Sequence, residues 1–441
     1  MSSVYSKSLQ IFNAKQFKES VSEPANNRIY LTFGRCVPWA NDLSPAQANT
    51  SGSSLYEVWR NMIGGKQLTG NDIAHAIPRV NWLANTVYNA YDDLMPSSQL
   101  YDIQNNKFYI VTSEFKVYKC IANSSGNVST QMPTAITTTS TVTQSDGYVW
   151  KYMYTVSPGD QIKYVTNSYI PVKTLTEDDN SNQWQVQEDA TPGSIEAIKI
   201  SNAGSAVTSN AITLTIRGDG TGANAFAQVN TVSNTISNIV VDNPGLNYTY
   251  ATVTYSGPGS NVSLRAIISP PGGHGSDPLT ELGGSNLVLN PRFRGSESGI
   301  LTLQNDYRQI SLMEDPLDFG TTNVASNAVF SQLTVLTVNG TSVEYQEDET
   351  VYQGTSLATS TFSGTVVEWD SSNNKIKLSN TTGTPDTELL VGDTSTAARF
   401  VDSITDPDFE PNSGKLLYID NIKPVERAED QTEDFKIVLK F

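Results

Sequence analysis

The most regular stretch of the chain is the segment Gly147-Tyr148-Val149-Trp150-Lys151-Tyr152-Met153-Tyr154-Thr155-Val156. Successive side chains of a β-strand point to opposite faces of a sheet. The aromatic residues at positions 148, 150, 152 and 154 therefore fall on one face, followed by Val156. Such a stripe is typical of a buried sheet face or a subunit interface, and a platform that stacks on sugars is the alternative. The segment predicts a β-strand in a β-rich chain.

The composition of the 441-residue chain agrees with a β-rich fold. Charged residues make up 17% of it and apolar residues 38%, and both shares are low for a globular protein. Ser, Thr, Asn and Gly fill the difference, and these residues suit short strands and turns better than long helices. We predict a mainly β protein with a few helices (α+β), with roughly three domains for this length.

The charge of the chain argues against two classes of partner. It has 45 acidic and 28 basic residues, which gives a formal net charge of −17. A nonspecific nucleic-acid binder needs a basic surface, and so does a protein that adheres to anionic lipid. No apolar run approaches the roughly 18 residues of a membrane span, and the first residues are too polar for a secretory signal. We therefore expect no nucleic acid and no membrane among the partners.

The residues that most often carry chemistry are scarce. The two cysteines, Cys36 and Cys120, lie too far apart in sequence for a metal-ligand spacing, and we expect two buried thiols in a reducing compartment. The two histidines, His75 and His274, leave little material for zinc sites or catalytic triads. We expect His75 to be structural. His274 is expected in a flexible linker over residues 271–277, without an assembled triad.

Acidic runs and one glycine-rich segment are the other candidate sites. Glu177-Asp178-Asp179, Glu347-Asp348-Glu349 and Glu429-Asp430 are expected to be solvated loops, although paired glycosidase carboxylates or calcium ligands are alternatives. The segment Gly218-Asp219-Gly220-Thr221-Gly222 lacks the Lys-Ser/Thr ending of a phosphate loop, so we interpret it as a turn.

Local signals predict several elements in the first 190 residues. Ser54 and Glu57 form a capping box before a helix over residues 55–63, which Gly64-Gly65 would end. The other predicted elements are a helix over residues 14–21 capped by Asn13, a strand over 28–33, two strands within 107–121 around a turn at 112–114, an exposed loop or flexible edge over 123–144, and a turn over 157–160.

An internal repeat of about 40 residues begins near Ile195. The first copy contains Asn202-Ala203-Gly204 and Gly218-Asp219-Gly220, and the second has Asn243-Pro244-Gly245 and Gly257-Pro258-Gly259 at the matching places. Each copy therefore reads as three strands joined by two turns. A unit of this size buries little core alone, so we expect the two copies to pack on each other.

A second β-rich stretch runs from residue 336 to about 405. Within it, strands over 366–370 and 375–378 around a turn at 371–374 predict a hairpin. The last segment reads as strands over 416–419 and 435–441, with a charged loop over 426–434 between them.

A set of short motifs stands out in order along the chain. They are Leu31-Thr32-Phe33-Gly34-Arg35 with Pro38-Trp39, Ile77-Pro78-Arg79 with Trp82, Val117-Tyr118-Lys119-Cys120, Asp146-Gly147-Tyr148-Val149-Trp150 with Tyr152, Asn167-Ser168-Tyr169-Ile170, Arg308-Gln309-Ile310-Ser311 with Asp315-Pro316-Leu317, Leu417-Tyr418-Ile419 with Asn421, and Asp430-Gln431-Thr432-Glu433. Together they resemble the baseplate wedge protein family of contractile-tailed bacteriophages, the eighth gene product in the usual phage numbering.

The tryptophans at 39, 82 and 150 would anchor either the core or a subunit contact.

The resemblance covers about residues 1–190, 276–330 and 410–441, and it implies a β-sandwich core with a few helices. The repeat and the 336–405 stretch do not match compact members of the family, so we interpret them as inserted β modules. The predicted organisation is a first part of the wedge core (1–190), an inserted repeat module (191–275), a second part of the core (276–335), an inserted β-rich module (336–409) and C-terminal core strands (410–441).

The function that the resemblance implies is structural. Such a subunit would form a homodimer, bind neighbouring baseplate wedge subunits during assembly and sheath contraction, and reside in the tail baseplate of the virion after assembly in the host cytoplasm. The resemblance brings no catalytic residues, so we expect no enzyme, no cofactor and no metal, and it leaves the partner-binding residues unknown. The alternatives are a peripheral tail component that binds host-surface glycans and, on β-richness and carboxylates alone, a polysaccharide-degrading enzyme.

Overall fold

The computed structural model describes residues 5–23, 27–208 and 212–441. Antiparallel strands dominate it and helices are few, which confirms the predicted mainly β class. The helices are α1 (Lys7–Ser22), α2 (Gly52–Asn61), α3 (Ser97–Leu100), α4 (Pro158–Tyr164), α5 (Asn182–Glu188) and α6 (Pro278–Glu281). Short 3₁₀ segments occupy Gly70–Asp72, Ser124–Gly126 and Leu357–Thr359.

The strands are short and spread along the whole chain. The first fourteen are β1 (Ile29–Gly34), β2 (Met62–Gln67), β3 (Ile73–Pro78), β4 (Tyr109–Val111), β5 (Lys116–Asn123), β6 (Val142–Thr143), β7 (Tyr148–Thr155), β8 (Tyr169–Pro171), β9 (Ala197–Ser205), β10 (Thr213–Gly218), β11 (Asn224–Asn230), β12 (Thr235–Asn243), β13 (Ala251–Ser256) and β14 (Ser260–Ile267). They are followed by β15 (Asn286–Leu289), β16 (Arg292–Arg294), β17 (Asp306–Glu314), β18 (Val329–Ser331), β19 (Thr334–Asn339), β20 (Thr350–Gln353), β21 (Phe362–Asp370), β22 (Lys375–Gly383), β23 (Leu389–Gly392), β24 (Ala398–Thr405), β25 (Lys415–Glu426), β26 (Thr432–Asp434) and β27 (Ile437–Lys440).

The chain divides into two compact units, and each is built from separate stretches of sequence. The first unit comprises residues 1–16, 74–289 and 436–441, and the second comprises residues 17–73 and 290–435. The repeat lies within the first unit and the 336–405 stretch within the second.

The first unit is organised around the aromatic strand. Strand β7 lies inside a four-stranded antiparallel sheet of order β4-β5-β7-β6, and a second sheet has the order β27-β15-β3-β8. The predicted strand over residues 147–156 is thus confirmed, and so are the two strands predicted around residues 112–114. The largest hydrophobic cluster of this unit packs around β5 and β7.

The repeat folds by pairing one copy with the other. Strand β9 pairs with β14, β10 with β13 and β11 with β12, all antiparallel, so every ladder joins a strand of the first copy to one of the second. A shared core fills the space between the ladders, and it includes the aliphatic residues Ile195 and Ile198 and the aromatic ring of Tyr248. This agrees with the expectation that neither copy buries enough surface alone.

The second unit contains an open sheet and a barrel. Strands β18-β2-β1-β17-β25 form a five-stranded antiparallel sheet, and every residue of β1 is buried. Strands β19-β22-β21-β20-β23-β24 close into a barrel whose core includes Leu336, Val366 and Ile376. The hairpin predicted around residues 371–374 is confirmed as β21 and β22.

Several local predictions are wrong, and each has a physical reason. Helix α2 begins after Ser51, whose hydroxyl accepts a hydrogen bond from the Ser54 amide, so Ser54 is not the cap. The helix ends at Asn61, and the Gly64-Gly65 pair lies within β2. Glycine serves close strand pairing here, because a side chain at Gly65 would collide with the Leu31 carbonyl oxygen of the paired strand β1.

Two further helix boundaries differ from the prediction. Helix α1 begins at Lys7, so Asn13 lies inside it and does not cap it. The predicted turn at residues 157–160 is the start of α4, where the Ser157 hydroxyl accepts from the Asp160 amide and Pro158 occupies the first helical position. Serine caps and proline at that position are helix-start signals as well as turn signals.

Candidate functional site

The aromatic stripe of β7 belongs to the core. Tyr148 and Trp150 are 0% exposed, and Tyr152 and Tyr154 are at most 3% exposed. The rings of Tyr148 and Trp150 stack with centroids 5.5 Å apart. On the opposite face Met153 is buried as well. The stripe is therefore a buried sheet face, and a sugar-stacking platform at these residues is excluded.

A buried ion pair lies beside this sheet. Lys119 of β5 places its Nζ 2.8 Å from Glu281 Oε2 in α6, and the two side chains are 0% and 3% exposed. The ammonium group also lies 4.1 Å from the centre of the Tyr91 ring. Burial alone would raise the pKa of Glu281, but Lys119 and His274 outweigh it and hold that pKa at about 2. Glu281 is therefore a buried carboxylate.

Glu281 also fixes the glycine-rich segment that precedes α6. Its Oε1 accepts hydrogen bonds from the amides of Gly275, at 2.7 Å, and Asp277, at 3.3 Å. Gly273 has a φ of +98° and packs against Thr191 so closely that a side chain there would collide with the Thr191 backbone. The expected flexible linker over residues 271–277 is therefore wrong, because a buried carboxylate and close backbone packing hold this segment.

His274 is buried in the same cluster. It is 1% exposed, its Nδ1 lies 3.8 Å from Glu281 Oε2, and its ring meets the Tyr91 ring edge-on at 5.1 Å. Burial, and then the charge of Lys119, lower the pKa of His274, which favours the neutral imidazole. Asp277 accepts from Thr174 and Thr280 instead of orienting the histidine, so no triad is assembled.

The remaining histidine and the cysteines have structural surroundings. His75 Nδ1 lies 3.0 Å from the Gly284 carbonyl oxygen and the side chain is buried. Cys36 and Cys120 are buried free thiols, as predicted. Burial raises the pKa of Cys36 to about 12 and raises the pKa of Cys120 well above its ordinary value, so neither is a reactive thiolate.

The three acidic runs have different surroundings. Residues 177–179 and 429–430 are exposed, as predicted. Glu349, predicted in a solvated loop, is 5% exposed inside the second unit. Its carboxylate accepts hydrogen bonds from the amides of Gln346, Thr394 and Ser395, and these bonds tie two loops of the barrel together.

In the described ranges, no group of three or more His, Cys, Asp or Glu side chains has the geometry to hold a metal ion.

The glycine-rich segment at residues 218–222 is a turn, as predicted. Asp219 accepts from the amides of Thr249 and Tyr250, and these bonds link the turn to the following copy of the repeat. Hydrogen bonds from the Thr249 hydroxyl and amide lower the pKa of Asp219 to about 2.

Asp146 pins the long polar segment before β7. Its Oδ2 accepts from the amides of Thr130, at 2.7 Å, and Gln131, at 2.9 Å, and its Oδ1 accepts from the Tyr148 amide. These bonds lower the pKa of Asp146 against the opposing effect of burial. The segment over residues 123–144 is thus irregular but anchored, and not simply a flexible edge.

The second unit holds a buried arginine within residues 426–434, which are predicted to form a charged loop. Arg427 donates from Nε to both carboxylate oxygens of Glu433, at 3.0 and 3.1 Å. Its other nitrogens donate to the carbonyl oxygens of Thr302 and Gly295, and its guanidinium lies 4.8 Å from the centre of the Phe33 ring. The side chain of Arg427 is 0% exposed, so it ties several segments together.

The three tryptophans differ in burial. Trp150 is fully buried, whereas Trp39 and Trp82 are half-buried. Arg35 stacks on Trp39 with its guanidinium carbon 3.8 Å from the ring centre, and Trp82 Nε1 donates to the Ser129 hydroxyl. Each tryptophan therefore contributes to packing within its own unit.

No sequence motif predicts the two buried ion pairs, Lys119–Glu281 and Arg427–Glu433. A signal was present at Lys119, because a lysine between Tyr118 and Cys120 interrupts an otherwise apolar strand and so requires a buried counter-charge. The partner, Glu281, lies 162 residues away, and nothing in the sequence links the two.

Within the described residues, no helix has the length and apolar character that crossing a membrane requires.

Comparison with known proteins supports the resemblance. Residues 116–259 match the family model Phage-Gp8, described as Bacteriophage T4 Gp8. The chain is also 25% identical over 208 residues to the baseplate wedge protein gp8 of Enterobacteria phage T4, in an alignment that covers 38% of this chain. The chain spans 60% of the length of that relative.

The matched range includes the two motifs around residues 117–120 and 146–150. It also extends through most of the repeat, so the prediction that the repeat lies outside the resemblance is wrong for this part of the chain. The comparisons confirm that this chain resembles the gp8 family of phage baseplate wedge proteins.

Proposed function

We propose that this protein is a structural subunit of the tail baseplate wedge of a contractile-tailed phage, resident in the virion. The observation that carries the proposal is the similarity of residues 116–259 to a baseplate wedge protein. The scaffold would dimerise, bind neighbouring wedge subunits, and hold them while the sheath contracts.

The distribution of charged groups supports a scaffold. The buried charges Lys119, Arg427 and Glu349 are each bound to a counter-charge or to backbone groups, and through these bonds they join segments far apart in sequence. A catalytic centre would instead place titratable groups around an open cleft. We therefore propose that the protein is not an enzyme.

We also propose that the repeat module (191–275) and the barrel module (336–409) are insertions into a wedge core formed by residues 1–190, 276–335 and 410–441. The ends of the repeat support this division: the Ser194 amide donates to the Ser269 hydroxyl, and the Ser269 amide donates to the Ser194 carbonyl oxygen. A segment whose ends are adjacent can be added to a loop without displacing the core. The wedge contacts would then lie on core segments.

Analytical sedimentation tests the proposal. The purified chain is run alone and then mixed with the wedge proteins encoded beside it. We expect a dimer alone and a larger complex of defined stoichiometry on mixing. A chain that stays separate from those proteins at micromolar concentration would contradict the scaffold. The aromatic stripe of β7, which had suggested a peripheral glycan-binding role, is buried and gives that alternative no support.

A further inference from the structure

A cavity of about 430 Å³ opens in the first unit where the repeat meets the sheet that contains β5. Its floor includes Ile121, Ala197 and Ile267, which form a buried apolar cluster. Its volume falls within the range of small-molecule sites. Since the repeat supplies one wall and the sheet another, the cavity exists only when both are folded together.

Polar groups surround this apolar floor. Asn89, Ser124, Ser125 and Asn238 all line the cavity. Among the residues that the structure describes, none hydrogen-bonds to the hydroxyls of Ser124 and Ser125. The side-chain Nδ2 of Asn238 donates to Gln228 Oε1, and within the described part of the chain its Oδ1 accepts no hydrogen bond. The lining therefore offers unused donors and acceptors next to an apolar surface.

The turn that carries the two serines has an unusual backbone. Ser124, Ser125 and Gly126 have φ values of +51°, +57° and +86°, so two residues with side chains adopt the left-handed region in succession. Residues other than glycine avoid this region, and such strain is concentrated at binding and catalytic sites. The strained turn places its serines at the cavity.

The charges at the cavity are already neutralised. Asp92 pairs with Lys199 at 3.0 Å and with Arg265, so no unpaired charge selects an ionic ligand. An apolar floor with hydroxyl and amide groups around it suits a ligand that has one face of C–H groups and a periphery of hydroxyls. A pyranose ring has this form.

We propose that this cavity binds a neutral hexopyranose, as a free sugar or as one unit of a glycan. Ser124, Ser125 and Asn238 would hydrogen-bond its hydroxyls, and Ile121, Ala197 and Ile267 would contact its C–H face. The site is separate from the buried stripe of β7, and it is independent of the scaffold function, since a baseplate subunit can carry such a site without depending on it.

Saturation-transfer difference NMR on the full chain tests the proposal. The probes are methyl glucoside, methyl galactoside, methyl mannoside and N-acetylglucosamine, each at about 10 mM, a concentration that mostly fills a site of about millimolar affinity. Sorbitol, an open-chain polyol, is the control compound. We expect transfer to at least one pyranoside and none to sorbitol.

Two variants place the signal in the cavity. The double substitution S124A/S125A removes both hydroxyls and keeps the Cβ atoms, and Asn238→Trp fills the opening from the exposed face of β12. Both should weaken binding at least about tenfold, a loss of about 1.4 kcal/mol. Ser237→Trp, at the neighbouring exposed position that does not line the cavity, should leave binding unchanged.

The proposal is wrong if no pyranoside gives a signal, or if the signal survives both cavity variants. It is also wrong if no sugar binds and N238W, but not S237W, weakens association with the neighbouring wedge proteins. In that case the cavity receives a protein segment.

Discussion

Lys119 and Glu281 form an ion pair 2.8 Å long with almost no solvent exposure, although 162 residues separate them in the chain. The pair joins strand β5 to the short helix α6. Removing one charge of a buried ion pair leaves the other charge uncompensated in a medium of low dielectric. The stability of the first unit therefore depends on this pair of residues.

Replacing one partner of this pair should be strongly destabilising. We expect Glu281→Gln to lower the free energy of unfolding by about 3 kcal/mol, because Lys119 is left buried without a counter-charge. Urea unfolding followed by tryptophan fluorescence measures the change. The matched control is Lys173→Met at the exposed pair with Asp160, which should cost less than about 1 kcal/mol. Equal losses in the two variants would contradict the account.

The same carboxylate makes the protein sensitive to acid. The pKa of Glu281 is about 2 in the folded chain, against 4.5 for an ordinary glutamate side chain, so its contribution to stability is present above pH 4.5 and is lost as the pH falls towards 2. We expect the free energy of unfolding of the native chain to fall more steeply over this interval than that of E281Q. If the free energy of unfolding falls with equal slope in the native chain and in E281Q, Glu281 is not held ionised and the prediction is wrong.

The anchor at Asp146 should control the long polar segment before β7. Asp146→Asn replaces an oxygen that accepts from the Thr130 and Gln131 amides by a donor, so we expect a loss of about 1–3 kcal/mol. Thermolysin, which cleaves before apolar residues, should then cut near Val128 and Ile136 several times faster. Asp179→Asn, at an exposed site, is the control and should not change the cleavage rate.

The stability of the second unit should depend on the planar guanidinium group of Arg427 and not on its charge alone. Arg427→Lys keeps the charge but cannot bind Glu433 and two carbonyl oxygens together, so we expect a loss of about 3 kcal/mol in the second unit. Thermal unfolding by calorimetry measures it. Arg292→Lys, at the part-exposed pair with Asp434, is the matched control and should cost less than about 1 kcal/mol. A tolerated R427K would mean that charge alone suffices.

Removal of the repeat tests the proposed insertion. Since Ser194 and Ser269 hydrogen-bond to each other, residues 195–268 are replaced by two glycines that join these ends. We expect the shortened chain to fold and to sediment as a dimer. Loss of the dimer in a chain that remains folded by circular dichroism would place the interface on the repeat.

The sequence predicted best what depends on local patterns. Strand β7 follows from strict alternation, and the hairpin of β21 and β22 follows from two strand patterns around a polar turn. The cross-pairing of the repeat agrees with the expectation that one copy buries too little core. The start of α4 was predicted as a turn, because Ser157-Pro158 is a sequence pattern common to turns and to helix starts.

The buried charges could not be predicted because they depend on contacts between distant segments. Glu281 lies in a short helix with no periodic pattern, and Arg427 and Glu433 lie in a stretch whose composition is typical of a solvated loop. Only the tertiary fold brings Arg427 to the Phe33 ring and Glu281 to Lys119. The cavity beside the repeat likewise requires both of its walls.

Immunogold electron microscopy of purified virions tests the central proposal most directly. An antibody against the exposed 371–374 turn of the barrel module labels the chain without disturbing its core. The structural role predicts label at the distal end of the tail, on the baseplate, in virions before or after sheath contraction. Label confined to fibres or capsid, or absence of the chain from virions by mass spectrometry, would contradict it.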